Sequence, residues 1–82
     1  MNSVTYMSND YITIQARLEA TGRAFRTRRK AVGLTIHQLA DKAGMCYSSV
    51  ALFESGKQVP SLANVYKLCD AVGVSPMDIL HP

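Results

Sequence analysis

An 82-residue chain that is 48% hydrophobic, with a formal net charge of +3 and a sequence pI of about 9.1, makes one small, mildly basic domain. Its two cysteines, Cys46 and Cys69, form no CxxC pair and its histidines, His37 and His81, stand far apart, which excludes a zinc site or a disulfide framework and implies free thiols, a reducing compartment and no cofactor. No apolar run approaches the roughly 20 residues of a membrane span, and residues 1–10 lack the basic start and hydrophobic stretch of a signal peptide, so the expected location is the cytoplasm.

The first sixteen residues are ambiguous. Residues 11–18 alternate through Ile12, Ile14, Ala16 and Leu18, which suits a strand, but Asn9 or Asp10 can equally cap an N-terminal extension of the first helix. We favour the helix, with residues 1–9 as a loose arm. Over residues 18–32 the apolar positions Leu18, Ala24, Phe25, Ala31 and Val32 fall at helical spacings, and Gly33 ends the segment. Thr35 is a good N-cap for a second helix over residues 36–43, closed by Gly44. A third helix runs over residues 47–55 and stops at Gly56; residues 57–60 form a loop, because Pro60 disfavours helix in the residue before it. Ser61 caps a fourth helix, residues 62–72, with Leu62, Val65, Leu68, Cys69 and Val72 assigned to the core and Gly73 as its end. Ser75, Pro76 and Asp78 give a fifth start: a serine cap, a proline at the first helical position and an acid three residues after the cap. The expected fold is an all-α bundle of five helices. Residues 1–16 are an arm or the start of helix one, and residues 17–82 form the domain.

Charge is localised. Residues 17–30 gather Arg17, Arg23, Arg26, Arg28, Arg29 and Lys30 against the single acid Glu19, leaving the rest of the chain net negative. A basic stripe of this kind suits a polyanion, and equally a solvated helix face. The junction of helices two and three is more informative. A turn as short as Gly44, Met45 and Cys46 brings the two helices close, so Ala40 must be small, Gly44 must allow the reversal, and Leu39, Ala43, Val50 and Phe53 must fill the wedge. Each demand is met at the right offset.

On these residues the chain resembles the Cro/C1-type (XRE, phage-repressor-like) helix-turn-helix family. The matching positions are Arg26 and Arg29, then Gly33, Leu34 and Thr35, then Leu39, Ala40, Asp41, Lys42, Ala43 and Gly44. They continue through Val50, Phe53, Glu54, Ser55, Gly56, Lys57, Pro60, Ser61 and Leu68 to Ala71, Val72, Gly73 and Val74. The resemblance implies a phage-repressor-like bundle whose third helix lies in the major groove of double-stranded DNA. It implies that Arg29 pairs with Glu54 as a structural ion pair that fixes the recognition helix. By matching position, Tyr47, Ser48, Ala51 and Leu52 face the bases, while Ser49, Ser55, Lys57 and Arg26 meet phosphates. Thr35 and His37 join them at the start of helix two, where open amides favour an anion. Two departures are visible: Ile36 stands where the family commonly has glutamine, and Ala51 and Leu52 stand where polar side chains are common. Readout then leans on thymine methyls, on Tyr47 and Ser48, and on DNA shape.

No Ser-His-Asp, paired-carboxylate or metal-ligand arrangement is available, so an enzyme is not expected. Cys46 at a helix start admits a redox sensor, but a small residue in a tight turn is the simpler reading. The expected function is a transcriptional repressor of phage or plasmid type, working as a homodimer on a near-palindromic operator. Two recognition helices would then lie about one DNA turn, roughly 34 Å, apart. Met77, Ile79 and Leu80 are too many for one small core, so they are expected at the dimer interface, aided by the segment around Ile12 and Ile14. Dimerisation would also supply stability that so short a chain lacks. An antitoxin, a controller protein of a restriction–modification operon and a protein–protein interaction module are the alternatives. The end at Leu80, His81 and Pro82 leaves no evident toxin-binding tail, which favours the stand-alone regulator.

Overall fold

In a computed structural model, which describes residues 3–80 and their side chains from residue 13 onward, the chain folds into α1 (Ser3–Ala31), α2 (Ile36–Ala43), α3 (Tyr47–Glu54), α4 (Leu62–Val72) and α5 (Pro76–Leu80). The ambiguity at the N-terminus resolves as helix. Residues 3–9 continue α1 without a break, so the loose arm expected there is replaced by helical extension. Residues 1–2 of that arm, His81 and the side chain of Ile12 lie outside the described residues.

Each boundary has a local cause. The hydroxyl oxygen of Thr35 accepts from the Gln38 amide at 3.1 Å, and the Gln38 side chain accepts from the Thr35 amide at 2.9 Å, a capping box the sequence reading had not paired. Ser61 accepts from the Asn64 amide at 3.2 Å, and at α5 Ser75 and Asp78 share the same work: the Ser75 amide donates to Asp78 at 3.1 Å. Gly44, at φ 68°, turns the chain out of α2 while its own amide and that of Met45 donate to Asp41 and Ala40. The third helix stops one residue early. Its last residue is Glu54, and Ser55 is the C-cap.

The core takes at least one side chain from every helix. Phe25 of α1, Leu39 of α2, Val50 of α3, Leu68 and Cys69 of α4, and Ile79 of α5 are essentially without solvent exposure. Phe25 and Phe53 pack ring to ring at 5.2 Å with planes inclined by 52°. Full burial of side chains this size is worth about 1.5–3 kcal/mol each. Around this centre α2 packs on α3 and α4, while α1 packs on α3 and α5.

Three expectations from the sequence change. Leu62 is 66% exposed although it lies two turns before the buried Cys69 on the same helix face: as the first residue of α4 it stands past the end of the core. Val32 lies beyond the end of α1 and is half exposed. Ile79 goes the other way: at 0% exposure it belongs to the core of its own chain, and only its neighbours Met77 and Leu80 remain on the surface. A side chain already buried by α1 and α4 has no area left to offer a second subunit.

Two glycines set how closely α1 approaches α3. A Cβ on Gly22 would lie 2.5 Å from the carbonyl oxygens of both Phe53 and Glu54, so the helices touch backbone to backbone there. Gly56 needs the left-handed conformation at φ 74°, and a Cβ on it would meet Glu19 at 2.8 Å. The Gln15 side chain secures the same contact by donating to the Gly56 carbonyl at 3.3 Å.

Candidate nucleic-acid interface

The inner face of α3 is spent on the core: Val50, Phe53 and Glu54 are buried. The outer face therefore consists of Tyr47, Ser48 and Leu52, all exposed, with Ala51 half-buried beside them. These are the four positions expected to face bases, and the fold presents them together. Ala51 lies deeper than the other three. It lines a recess of about 220 Å³ with Arg26, Arg29, Ile36, Glu54 and Ser55.

The far end of α3 is fixed by charge. Arg29 Nε donates to Glu54 Oε2 at 2.7 Å and Nη2 donates to Oε1 at 2.9 Å, a two-point contact. The third guanidinium nitrogen, Nη1, donates to the Leu34 carbonyl at 2.7 Å. One side chain thus ties α1 to the end of α3 and to the turn before α2. Both partners are buried, at 5% and 7% exposure, and no buried side-chain polar atom among the described residues lacks a partner. The hydrogen bond to Glu54 raises the Arg29 pKa despite the opposing cost of burial, so the guanidinium keeps its charge at any ordinary pH. The pairing expected from sequence is present in full.

The residues expected at phosphates are distributed around this face. Arg26 and Lys57 are exposed cations; Arg26 borders the recess beside Glu54 and Ser55, and Lys57 lies in the loop just past α3. The loop that carries Lys57 is ordered by amides: Lys57 and Gln58 both donate to the Leu52 carbonyl. The Thr35 hydroxyl accepts within the capping box and keeps its own proton to donate. That box engages the amides of Thr35 and Gln38, leaving those of Ile36 and His37 at the helix start. Ser49 is half-buried in the first turn of α3. Ser55 is a weaker candidate than the sequence implied, since its hydroxyl proton is already donated to the Leu52 carbonyl at 3.1 Å and a phosphate oxygen needs a donor.

The start of α3 is held differently. Cys46 is the N-cap and makes no side-chain capping bond. The next residue, Tyr47, instead stacks its ring on His37 at 4.3 Å with planes 33° apart. The sequence reading placed both residues in the site and missed the pairing. The only signal was that each stands near the start of its own helix, with α2 and a three-residue turn between them.

Apolar side chains also remain exposed outside this face. Val59, Leu62, Tyr66, Met77 and Leu80 are exposed, and Leu80 borders a narrow groove with Leu18, Thr21, Val59, Pro60 and Val65. Of the three residues expected at a subunit interface, Met77 and Leu80 are therefore on the surface and Ile79 is not. Ile14, from the segment expected to assist, is also exposed.

A short α2–turn–α3 unit with one clean outward face, clamped from behind by an arginine–glutamate pair, defines a helix-turn-helix protein. The sequence profile of the helix-turn-helix family matches residues 25–79, and the chain belongs to that family. It is 38% identical over 48 residues to the transcriptional repressor RstR of the cryptic phage CTXphi in Vibrio cholerae. That match covers 58% of this chain and 43% of the repressor, so the shared part is less than half of the relative's length. An HTH-type transcriptional regulator of Sinorhizobium fredii is 28% identical over 61 residues, covering 74% of this chain and 79% of that one. Among solved structures, the restriction–modification controller protein C.AhdI from Aeromonas hydrophila superposes with a TM-score of 0.75 at 34% identity. The superposition covers 78% of this chain and 97% of the controller protein. The chain is a helix-turn-helix transcriptional regulator. Among the described residues no helix is long and apolar enough to cross a membrane.

Proposed function

We propose that this regulator is a homodimeric repressor that binds a near-palindromic operator in double-stranded DNA through the major groove. The observation that carries the reading is the outward face of α3, where Tyr47, Ser48 and Leu52 are exposed on a helix whose other face is locked to the core and to Arg29. Tyr47 and Ser48 supply hydrogen bonds to base edges, and Leu52 and Ala51 supply apolar contact to thymine methyls. Arg26, Lys57, Thr35 and Ser49 anchor the backbone, together with the open amides of Ile36 and His37. The protein acts in the cytoplasm, by binding and without catalysis or a cofactor.

A single subunit covers one half-site, which discriminates too little against a genome of competing sites. Two subunits joined through Met77 and Leu80 would bury apolar surface that one chain leaves open. A controller role in a restriction–modification operon is the second reading, favoured by the likeness to C.AhdI. A restriction enzyme encoded beside the gene would select it, and a toxin gene there would select the antitoxin.

The test is selection of binding sites from random duplexes, followed by titration of the selected site at several salt concentrations. A two-fold related site should emerge. Affinity should fall with a log–log slope on the order of −6 or steeper, since each phosphate neutralised contributes about −0.9. No enriched site and a slope near zero would overturn the reading in favour of a protein–protein module.

A further inference from the structure

We infer that His37 is a positioning residue for Tyr47, holding the ring of the first base-reading side chain across the helix-turn-helix turn; the inference rests on the DNA-binding reading above. Tyr47 is the first residue of α3 and is 46% exposed. A tyrosine so placed has little around it to select one side-chain rotamer, and each freely rotating side chain must be ordered when DNA binds. The usual device for fixing a helix start, a side chain bonded to the first-turn amides, is missing because Cys46 makes no such bond. The His37 ring fills that role by contact. It lies 4.3 Å from the tyrosine ring with planes 33° apart, a close tilted contact just short of the roughly 4.5–7 Å usual for aromatic pairs.

The backbone that carries His37 is well held. It is the second residue of α2, one position before Gln38, whose side chain closes the capping box on Thr35. The box fixes the first turn of α2, and Leu39 anchors that turn in the core. The stack therefore transmits the rigidity of α2 to a side chain on the outer face of α3. His37 is thus assigned a role through Tyr47, distinct from the phosphate contact that its location alone suggests. The two roles make separable demands on the ring, since stacking needs an aromatic plane and a phosphate contact needs an N–H donor, and phenylalanine keeps only the first.

The test uses the full chain, a selected specific duplex and an unrelated duplex, with His37→Ala, His37→Phe, Tyr47→Ala and the double variant His37→Ala/Tyr47→Ala. His37→Ala should weaken specific binding about 2- to 10-fold, the scale of one aromatic pair, and leave nonspecific binding unchanged. His37→Phe should restore most of the loss. The double variant should bind no worse than Tyr47→Ala, because the histidine acts only through the tyrosine. In the free protein, NMR should show cross-relaxation between the two rings and one dominant Tyr47 rotamer that His37→Ala releases. The inference is overturned if His37→Phe is as weak as His37→Ala and nonspecific affinity falls with it, or if the double variant is additive. Absence of the ring-to-ring signal overturns it without reference to DNA. If the rings are in contact but the wild type selects no site, the DNA reading itself has failed, and the positioning role falls with it.

Discussion

The two ends of α3 are held by different physics. At the C-terminal end a buried two-point ion pair, a glycine contact at backbone distance and a left-handed glycine lock the helix to α1. At the N-terminal end there is no side-chain cap, and an exposed tyrosine leans on an exposed histidine. The first end sets where the helix sits and the second sets what it presents. A regulator that must keep one scaffold and recognise its own site benefits from this separation, because the presenting residues can change without disturbing the clamp.

The sharpest way to break the clamp is Arg29→Ala. Removing one partner leaves Glu54 buried and uncompensated, which costs about 3–5 kcal/mol. For a chain this short that is most of its stability, so thermal unfolding followed by circular dichroism should show a Tm drop of tens of degrees or no folded baseline. An unchanged Tm would mean the pair is replaceable by solvent. Gly22→Ala should come next. Its new methyl meets the Phe53 and Glu54 carbonyls, and overpacking of this kind costs about 1–3 kcal/mol. Urea titration should show a lower midpoint at constant slope.

Assembly gives a third comparison, between neighbours in α5. Leu80→Asp, at a half-exposed position, should leave the fold intact and yield monomers in sedimentation at tens of micromolar, where the proposed interface requires the wild type to sediment as a dimer. Ile79→Asp puts a charge in the core and should unfold the chain instead. Equal behaviour of the two variants would show that this face is not the interface. The smallest effect concerns the thiols. Cys46 is exposed at the presenting end and Cys69 is buried in the core. Burial, and secondarily the charges of Asp70 and Asp78, push the Cys69 pKa up, which lowers its thiolate fraction at neutral pH. A thiol reagent should therefore label the native protein at Cys46 and spare Cys69 until the chain unfolds. The same shift makes stability fall as pH rises through the thiol range, since an unfolded Cys69 ionises more readily.

Legibility in the sequence follows the same division. The clamp was readable because its demands are strict: Ala40, Gly44, Val50 and the Arg29 and Glu54 positions admit few alternatives, the starts of α2, α4 and α5 follow from their caps, and glycines close α1 to α4. Gly22 was readable in principle, since a glycine inside a helical pattern marks a close approach. The His37–Tyr47 contact was not, because it joins two residues whose own helices place no requirement on their type. Ile79 was misassigned for a third reason. Three apolar residues in a five-residue helix cannot be divided between core and surface by periodicity, and the packing of α5 on α1 and α4 decided it.

The most direct test of the division between frame and reading face compares Ser48→Ala with Lys57→Ala on specific and unrelated duplexes at one salt concentration. Ser48→Ala should weaken only specific binding, by about 1–3 kcal/mol. Lys57→Ala should weaken both by the same factor and make the salt dependence shallower by about one phosphate. If both variants lower specific and nonspecific affinity in the same ratio, the outer face of α3 does not read sequence, and the account is wrong.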